Sequence, residues 1–315
     1  MKSAPDSSAR RALLRAAAVL GGLILVDKLR SQPAHGPLLA RRIPGSGEML
    51  PAVGLGTWQV FDVGGRERER AEAREALRRF VELGGTVVDS SPMYGSSESV
   101  VGDLAAGLGA HKKLFIATKV WTSGRAAGIR QMEESLRRMR VSLKGPLDLM
   151  QVHNLVDADT HLVTLREWKL EGRVRYVGVT HYHDGAYPEL ARYLKRGLVD
   201  FVQLNYSLAE RRAEERLLRL AAEAGIGVIV NRPFAEGELF SRVKGKPLPD
   251  WAGEIDCTSW AQYFLKWILA HPAVTCAIPG TRNAKHIDDN LAAARGRLPD
   301  EPMRKRMTGY FDRLS

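Results

Sequence analysis

Val87-Val88-Asp89-Ser90-Ser91-Pro92-Met93-Tyr94-Gly95 is the stretch that decides the fold. Thr86, Val87 and Val88 favour an extended strand, Asp89 ends it, and the rest reads as a turn-rich loop. A short apolar strand with its chemistry at the C-terminal end is how a parallel α/β barrel carries an active site. The next two apolar runs repeat the pattern: residues 114–118 run into Lys119, and residues 147–152 run into His153. An acid, a phenol, an amine and an imidazole at the ends of three successive strands would converge on one mouth.

Working outward, strand and helix patterns alternate from Val53 to Arg295. The first core strand and its exit loop are expected at 53–58. A charged helix follows at 66–83, with Ala73, Ala76, Leu77, Phe80 and Val81 at helical spacing and Gly84-Gly85 as its stop. Further strands are expected at 176–179, 201–204, 228–230 and 275–278. Further helices are expected at 97–108, 128–140, 161–171, 187–196, 210–224, 259–270 and 284–294. Eight strands, each paired with a helix, predict an α/β fold: a single-domain (β/α)8 TIM barrel over residues 39–315. Residues 42–50, centred on Pro44-Gly45-Ser46-Gly47, predict a hairpin that plugs or lids the barrel. The Pro- and Gly-rich stretch 231–253 is too long for a structural connection and is a lid candidate. Val53-Gly54-Leu55-Gly56-Thr57-Trp58 is not the G-x-G-x-x-G of a nucleotide loop opening a helix.

Residues 1–38 form a leader. Arg10-Arg11 precede an apolar run at 16–26, which is short for a membrane span but right for the core of a signal peptide. The pair resembles a twin-arginine export signal, which implies the twin-arginine export machinery as a partner and a periplasmic location. A cytoplasmic or membrane-anchored protein is the alternative. The formal charge of +11 is concentrated here, since residues 1–42 carry eight Lys/Arg against two Asp. The remaining charge is spread over helix faces without a basic stripe, which argues against nucleic-acid binding. Cys257 and Cys276 have neither disulfide-motif nor metal spacing, and no metal is expected. His181-Tyr182-His183 lacks further ligands nearby in sequence and is discounted as a metal site.

The strand-end residues suit carbonyl reduction. Hydride goes to carbon, so a proton must reach oxygen, and Tyr94 is the candidate donor. A free phenol has a pKa of ~10, and a neighbouring Lys119 ammonium is expected to lower it. Asp89 would hold Lys119 charged and in place. His153 would hydrogen-bond the substrate oxygen and orient it. Trp58 and Trp121 are expected to wall a substrate pocket for an apolar or aromatic carbonyl compound.

The D-x-x-x-x-Y spacing of Asp89 and Tyr94, with Lys119 and His153 following at strand ends, resembles the aldo/keto reductase family. Gly54-Leu55-Gly56-Thr57-Trp58, Val177-Gly178-Val179 with Gln203 and Asn205, and Ile278-Pro279-Gly280-Thr281-Arg282 with Asn290 are similar to further segments of that family. The resemblance covers about Leu39 to Leu298. It implies the catalytic set Asp89, Tyr94, Lys119 and His153 and the cofactor NADP(H). Cofactor contacts are implied at Gly56, Thr57, Trp58, Thr180, His181, Gln203, Asn231, Arg232, Pro233 and Phe234. Gln203 would hold the nicotinamide carboxamide, Thr281 and Arg282 the 2′-phosphate, and Asn290 the adenine side. Thr180-His181 stands where the family usually has Ser-Asn, and Asn231 where many members place a stacking aromatic. Gly280 and His286 replace basic residues found in some members. The expected function is NADPH-dependent reduction of a small-molecule carbonyl by a monomer. Two alternatives stand beside it: a cofactor-sensing or scaffold protein with vestigial activity, and a lyase using Lys119 as a Schiff base.

Overall fold

Every second residue of a strand faces the same way, and eight parallel strands turn that face toward one axis. The computed structural model describes residues 36–314, and from Leu38 onward they form one compact unit. Residues 1–35 of the leader lie outside the described residues. The hairpin is β1 (Ala40–Arg42) and β2 (Met49–Pro51), and the barrel is β3 (Leu55–Gly56), β4 (Val87–Asp89), β5 (Phe115–Val120), β6 (Leu147–His153), β7 (Val174–Thr180), β8 (Phe201–Asn205), β9 (Gly227–Asn231) and β10 (Val274–Ala277). Each of β3 to β10 pairs in parallel with the next. Bridges from Val53 to Ala277 and from Gly56 to Gly280 bring the first strand against the last and close the ring. That seam requires glycine at 56, because a Cβ there would sit 2.7 Å from the Ile278 carbonyl oxygen.

Seven helices return the chain between strands, Glu67–Glu82, Ser97–Gly107, Arg125–Arg138, Ala158–Leu170, Tyr187–Lys195, Leu217–Glu223 and Trp260–Leu269, and an eighth, Ala284–Ala292, follows β10. Their buried stripes face the sheet; in the first, Ala73, Ala76, Leu77 and Phe80 are covered while the charges stay in solvent. The expected first strand is shorter than its apolar run, and Trp58 lies in the exit loop. The helix expected over 210–224 is split. A 3-10 turn, Arg212–Glu215, ends at Arg216, whose φ of −150° breaks the helical path before Leu217–Glu223. The lid candidate is not structureless: it holds a short helix, Glu238–Arg242, and one-turn segments at Ala235–Gly237 and Asp250–Ile255. A helix with no place in the eightfold alternation, Glu301–Asp312, ends the chain, capped by the Asp300 side chain and docked through Met307 and Phe311.

The barrel interior is layered. Phe115, Tyr176 and Phe201 pack near the strand starts with Val87, Leu149, Ile229 and Cys276. The hairpin closes this end by inserting Ile43 and Leu50 into the same cluster. Tyr176 donates its hydroxyl to the Glu48 carboxylate at 2.7 Å, fastening the plug. The expected plug is therefore seen at the end opposite the strand-terminal residues. Toward the strand ends the interior turns polar, through Asp89, Lys119, Gln151, His153, Thr180 and Gln203, all buried. Asp148, an early polar residue in β6, is accommodated by the Ile116 N–H at 2.7 Å and by Arg175 at 2.6 Å.

Phe201 is fully buried and its ring lies 5.5 Å from Tyr176 and 6.2 Å from Phe115. Phe201→Ala should therefore cost about 3–5 kcal/mol, seen as a lower urea midpoint with an unchanged slope.

Candidate active site

β4, β5 and β6 end side by side, so their register decides which side chains meet. Asp89 is opposite Ala117, and Lys119 is opposite Gln151. Lys119 Nζ lies 2.6 Å from Asp89 Oδ2 and donates to the Ser90 carbonyl at 2.7 Å. The other Asp89 oxygen accepts from Gln151 Nε2 at 3.1 Å and Gln203 Nε2 at 2.9 Å. Both ions are buried, so removal of either partner leaves an uncompensated interior charge, worth about 3–5 kcal/mol. Burial alone would push Lys119 down, but the charges of Asp89 and Tyr94 and the Asp89 hydrogen bond hold its pKa above the ordinary value.

Tyr94 lies over this pair, with Lys119 Nζ 4.8 Å from its ring centroid. Lys119 pulls the phenol pKa down as its charge requires, yet burial is the larger effect and the net direction is up. Lys119 thus acts in the expected direction, but burial outweighs it and Tyr94 is held protonated at neutral pH. Its ring meets His153 edge-on at 5.6 Å between centroids. His153 Nδ1 lies 2.8 Å from Ser91 Oγ. The Met93 N–H donates to that oxygen at 3.3 Å; in the Nε2–H tautomer of His153 the Ser91 hydroxyl donates to Nδ1 and Nε2 is the ring's donor. Burial first, then the charge of Lys119, lowers the His153 pKa to about 2, making it a neutral donor.

These groups open onto a cavity of about 730 Å³. Asp89, Tyr94 and His153 line it, with Lys119 buried behind them. Gly56, Thr57, Trp58, Thr180 and Gln203 line it as well, as do Asn231, Arg232, Pro233 and Phe234. Trp121 forms the wall beside His153, at 6.5 Å between ring centroids. Of the expected contacts, His181, Thr281, Arg282 and Asn290 do not line the cavity. Thr281 faces His286 at 3.3 Å between Oγ1 and Nδ1. Arg282 pairs with Glu72 at 3.1 Å. His181 accepts the Tyr182 N–H at 3.0 Å, and burial lowers its pKa to about 4. Gln203 is inward as expected, but its amide nitrogen is committed to Asp89 and its oxygen accepts from Thr180 at 3.2 Å. Asn205 lines a separate cavity of about 920 Å³ beside the C-terminal helix, where it accepts from Tyr187. That cavity's charges are largely paired among themselves, as in Arg211–Asp312, Arg212–Asp184 and Arg304–Glu214.

The sequence reading missed Gln151 and Ser91, which hold Asp89 and His153, and the cavity residues Met93, Tyr182 and Phe240. Gln151 had a signal: it stands two residues before His153 and so shares its strand face.

Known proteins carry the same architecture. The aldo/keto reductase family model matches residues 52–306. A methylglyoxal reductase of Escherichia coli (strain K12) is 30% identical over 251 residues, covering 77% of this chain and 85% of that one. A crystal structure of an aldo/keto reductase from Klebsiella pneumoniae in complex with NADP and acetate is 27% identical, with a TM-score of 0.71, covering 86% of this chain and 94% of that one. A second Klebsiella pneumoniae structure, in complex with NADPH, is 27% identical with a TM-score of 0.69, covering 88% and 95%. The fold and site define a (β/α)8-barrel oxidoreductase. The chain belongs to the aldo/keto reductase family.

His153 offers a direct check. An unfolded chain binds a proton at this residue below about pH 6.5, while the folded protein refuses it down to about pH 2. Its stabilising contribution is full above the unfolded value and is lost progressively as pH falls below it. The His153 ring signals should not titrate between about pH 4 and about pH 8 by NMR.

Proposed function

We propose that this protein reduces the carbonyl group of a small molecule to an alcohol with NADPH, with Tyr94 as the proton donor. The observation that carries this reading is the buried Asp89–Lys119 pair set beneath the Tyr94 ring, with a neutral His153 beside it.

The donor set fits a nicotinamide dinucleotide phosphate. Asn231 Nδ2 donates to the His181 carbonyl at 3.1 Å, while Asn231 Oδ1 is a buried acceptor without a hydrogen-bond partner among the described residues. Thr180, Gln203 and Asn231 with Arg232, Pro233 and Phe234 would hold the nicotinamide end. Thr281 and Arg282 would meet the 2′-phosphate and Asn290 the adenine side. A guanidinium suits a phosphate fork and favours NADPH over NADH. The two Klebsiella pneumoniae relatives, solved with NADP and NADPH, support this choice. When bound, the cofactor supplies the hydride.

The chain's own residues manage the proton. His153 Nε2–H and the Tyr94 hydroxyl both donate to the substrate oxygen, which stabilises the charge building there. Tyr94 then passes its proton to that oxygen, and the resulting phenolate faces the Lys119 ammonium. Asp89, braced by Gln151 and Gln203, keeps Lys119 cationic and in position. A lyase would need Lys119 neutral and nucleophilic; its raised pKa and its bonds to Asp89 and Ser90 oppose that role. The enzyme would act as a monomer. Export through the twin-arginine machinery to the periplasm belongs to the same proposal and rests on Arg10-Arg11 and the apolar run 16–26 that follows them; fractionation of cells making the full chain tests it, and a wholly cytosolic pool would remove it.

Tyr94→Phe should reduce kcat by a factor of about 10²–10⁴ while leaving NADPH affinity by fluorescence titration within twofold. A variant that reduces aldehydes normally would overturn the assignment. Because Tyr94 stays protonated and His153 stays neutral, the reductive kcat/KM should be flat from about pH 5 to about pH 9 and fall only above that.

A further inference from the structure

Trp121 is the wall nearest His153, yet it sits on an exposed loop between β5 and the helix Arg125–Arg138. A wall on a loop can define a substrate only if something fixes the loop. Gln131 does so with both ends of its amide. Its Oε1 accepts the Trp121 N–H at 2.6 Å, and its Nε2 donates to the Trp121 carbonyl at 3.1 Å. The side chain thus takes the place of a neighbouring strand for one residue. Two further contacts pin the rest of the loop. His161 Nε2 donates to the Thr122 carbonyl at 2.6 Å, and Asp157 accepts the Gly124 N–H at 2.7 Å. Room for the His161 ring is made by Gly128, where a Cβ would come within 2.4 Å of Cε1.

The apolar surface indicates what the wall is for. Nine large apolar side chains are exposed among the described residues, and five of them ring this one cavity: Trp58, Met93, Trp121, Tyr182 and Phe240. Such side chains are left uncovered at a cost unless they are kept for an apolar partner. The cations near the mouth are already engaged: Lys119 by Asp89, and Arg232 by Glu236 at 3.1 Å and the Tyr182 carbonyl at 2.9 Å. Among the described residues that line this cavity, no cation is thereby offered to a substrate carboxylate.

We infer that Gln131 is a positioning residue that holds Trp121 as a fixed wall, and that the mouth it shapes selects bulky, uncharged carbonyl compounds over small ones. The inference rests on the carbonyl-reductase reading and adds the substrate class and the residue that sets it. Holding the wall in place before binding spares the substrate the cost of ordering it. The benefit falls only to substrates large enough to touch Trp121.

The test compares the wild-type full chain with Gln131→Leu and Gln131→Glu, using 2-naphthaldehyde, methylglyoxal and a carboxylate-bearing aldehyde with NADPH. The wild type should prefer 2-naphthaldehyde by kcat/KM. In Gln131→Leu the KM for 2-naphthaldehyde should rise about tenfold, with its kcat and the methylglyoxal kcat/KM within twofold of wild type. Gln131→Glu keeps the acceptor for the Trp121 N–H and should recover part of the loss. Hydrogen exchange gives a readout independent of turnover: the Trp121 amide should be protected in the wild type and exchange freely in Gln131→Leu. A wild-type preference for methylglyoxal or for the charged aldehyde overturns the substrate class. An equal loss on both neutral substrates, or unchanged Trp121 exchange, overturns the role of Gln131. Failure of the wild type to oxidise NADPH with any aldehyde, despite Trp121 protection, instead removes the reductase reading and the substrate class with it.

Discussion

A lysine ammonium inside a barrel is tolerable only against a fixed anion, and the active end of this protein is arranged to meet that demand. Asp89 is at the end of β4 and Lys119 near the end of β5, so the pair spans two adjacent strands. Gln151 and Gln203 spend their amide nitrogens on the same carboxylate, drawing β6 and β8 into the arrangement. Four strands are tied by one anion. The phenol above it inherits a position and a charge environment that an isolated tyrosine would lack. Burial raises the Tyr94 pKa and Lys119 opposes that rise, so the group holds its proton at rest while the phenolate has a cation to face once the proton has gone.

His153 is prepared differently. Its pKa is low because it is buried beside a permanent cation, not because an acid has claimed it. Ser91 holds Nδ1 of the ring at 2.8 Å, so Nε2 is the nitrogen that Ser91 leaves open. In the proposed mechanism the two groups at the mouth would be complementary: a phenol that gives up its proton, and an imidazole that donates a hydrogen bond without doing so.

The barrel was legible in the sequence because each strand and each helix carries its own period, and each helix ends at a turn signal. Asp89, Tyr94, Lys119 and His153 were legible because each follows an apolar run, and a parallel barrel gathers strand ends. Gln151 was legible only as a face-mate of His153; its contact with Asp89, and that of Ser91 with His153, arise from strand register and from a loop conformation that no spacing encodes. The helix Glu301–Asp312 was missed because its buried stripe, Met307 and Phe311, is too sparse to stand out against its charges. The stretch 231–253 was judged by its glycines and prolines; tertiary contacts through Leu239 and Phe240 draw Glu238–Arg242 into a short helix nonetheless.

The hairpin of β1 and β2 bears on how such a barrel would be recharged. Ile43 and Leu50 seal the end where the strands begin, and a packed layer of Phe115, Tyr176 and Phe201 lies immediately above them. The described residues at this end are packed and apolar. Under the proposed mechanism, the proton that would restore Tyr94 would enter by the same doorway as the substrate, so an occupied mouth would also be a closed proton inlet. Release of the alcohol would then reopen the inlet, coupling product departure to the resetting of the acid.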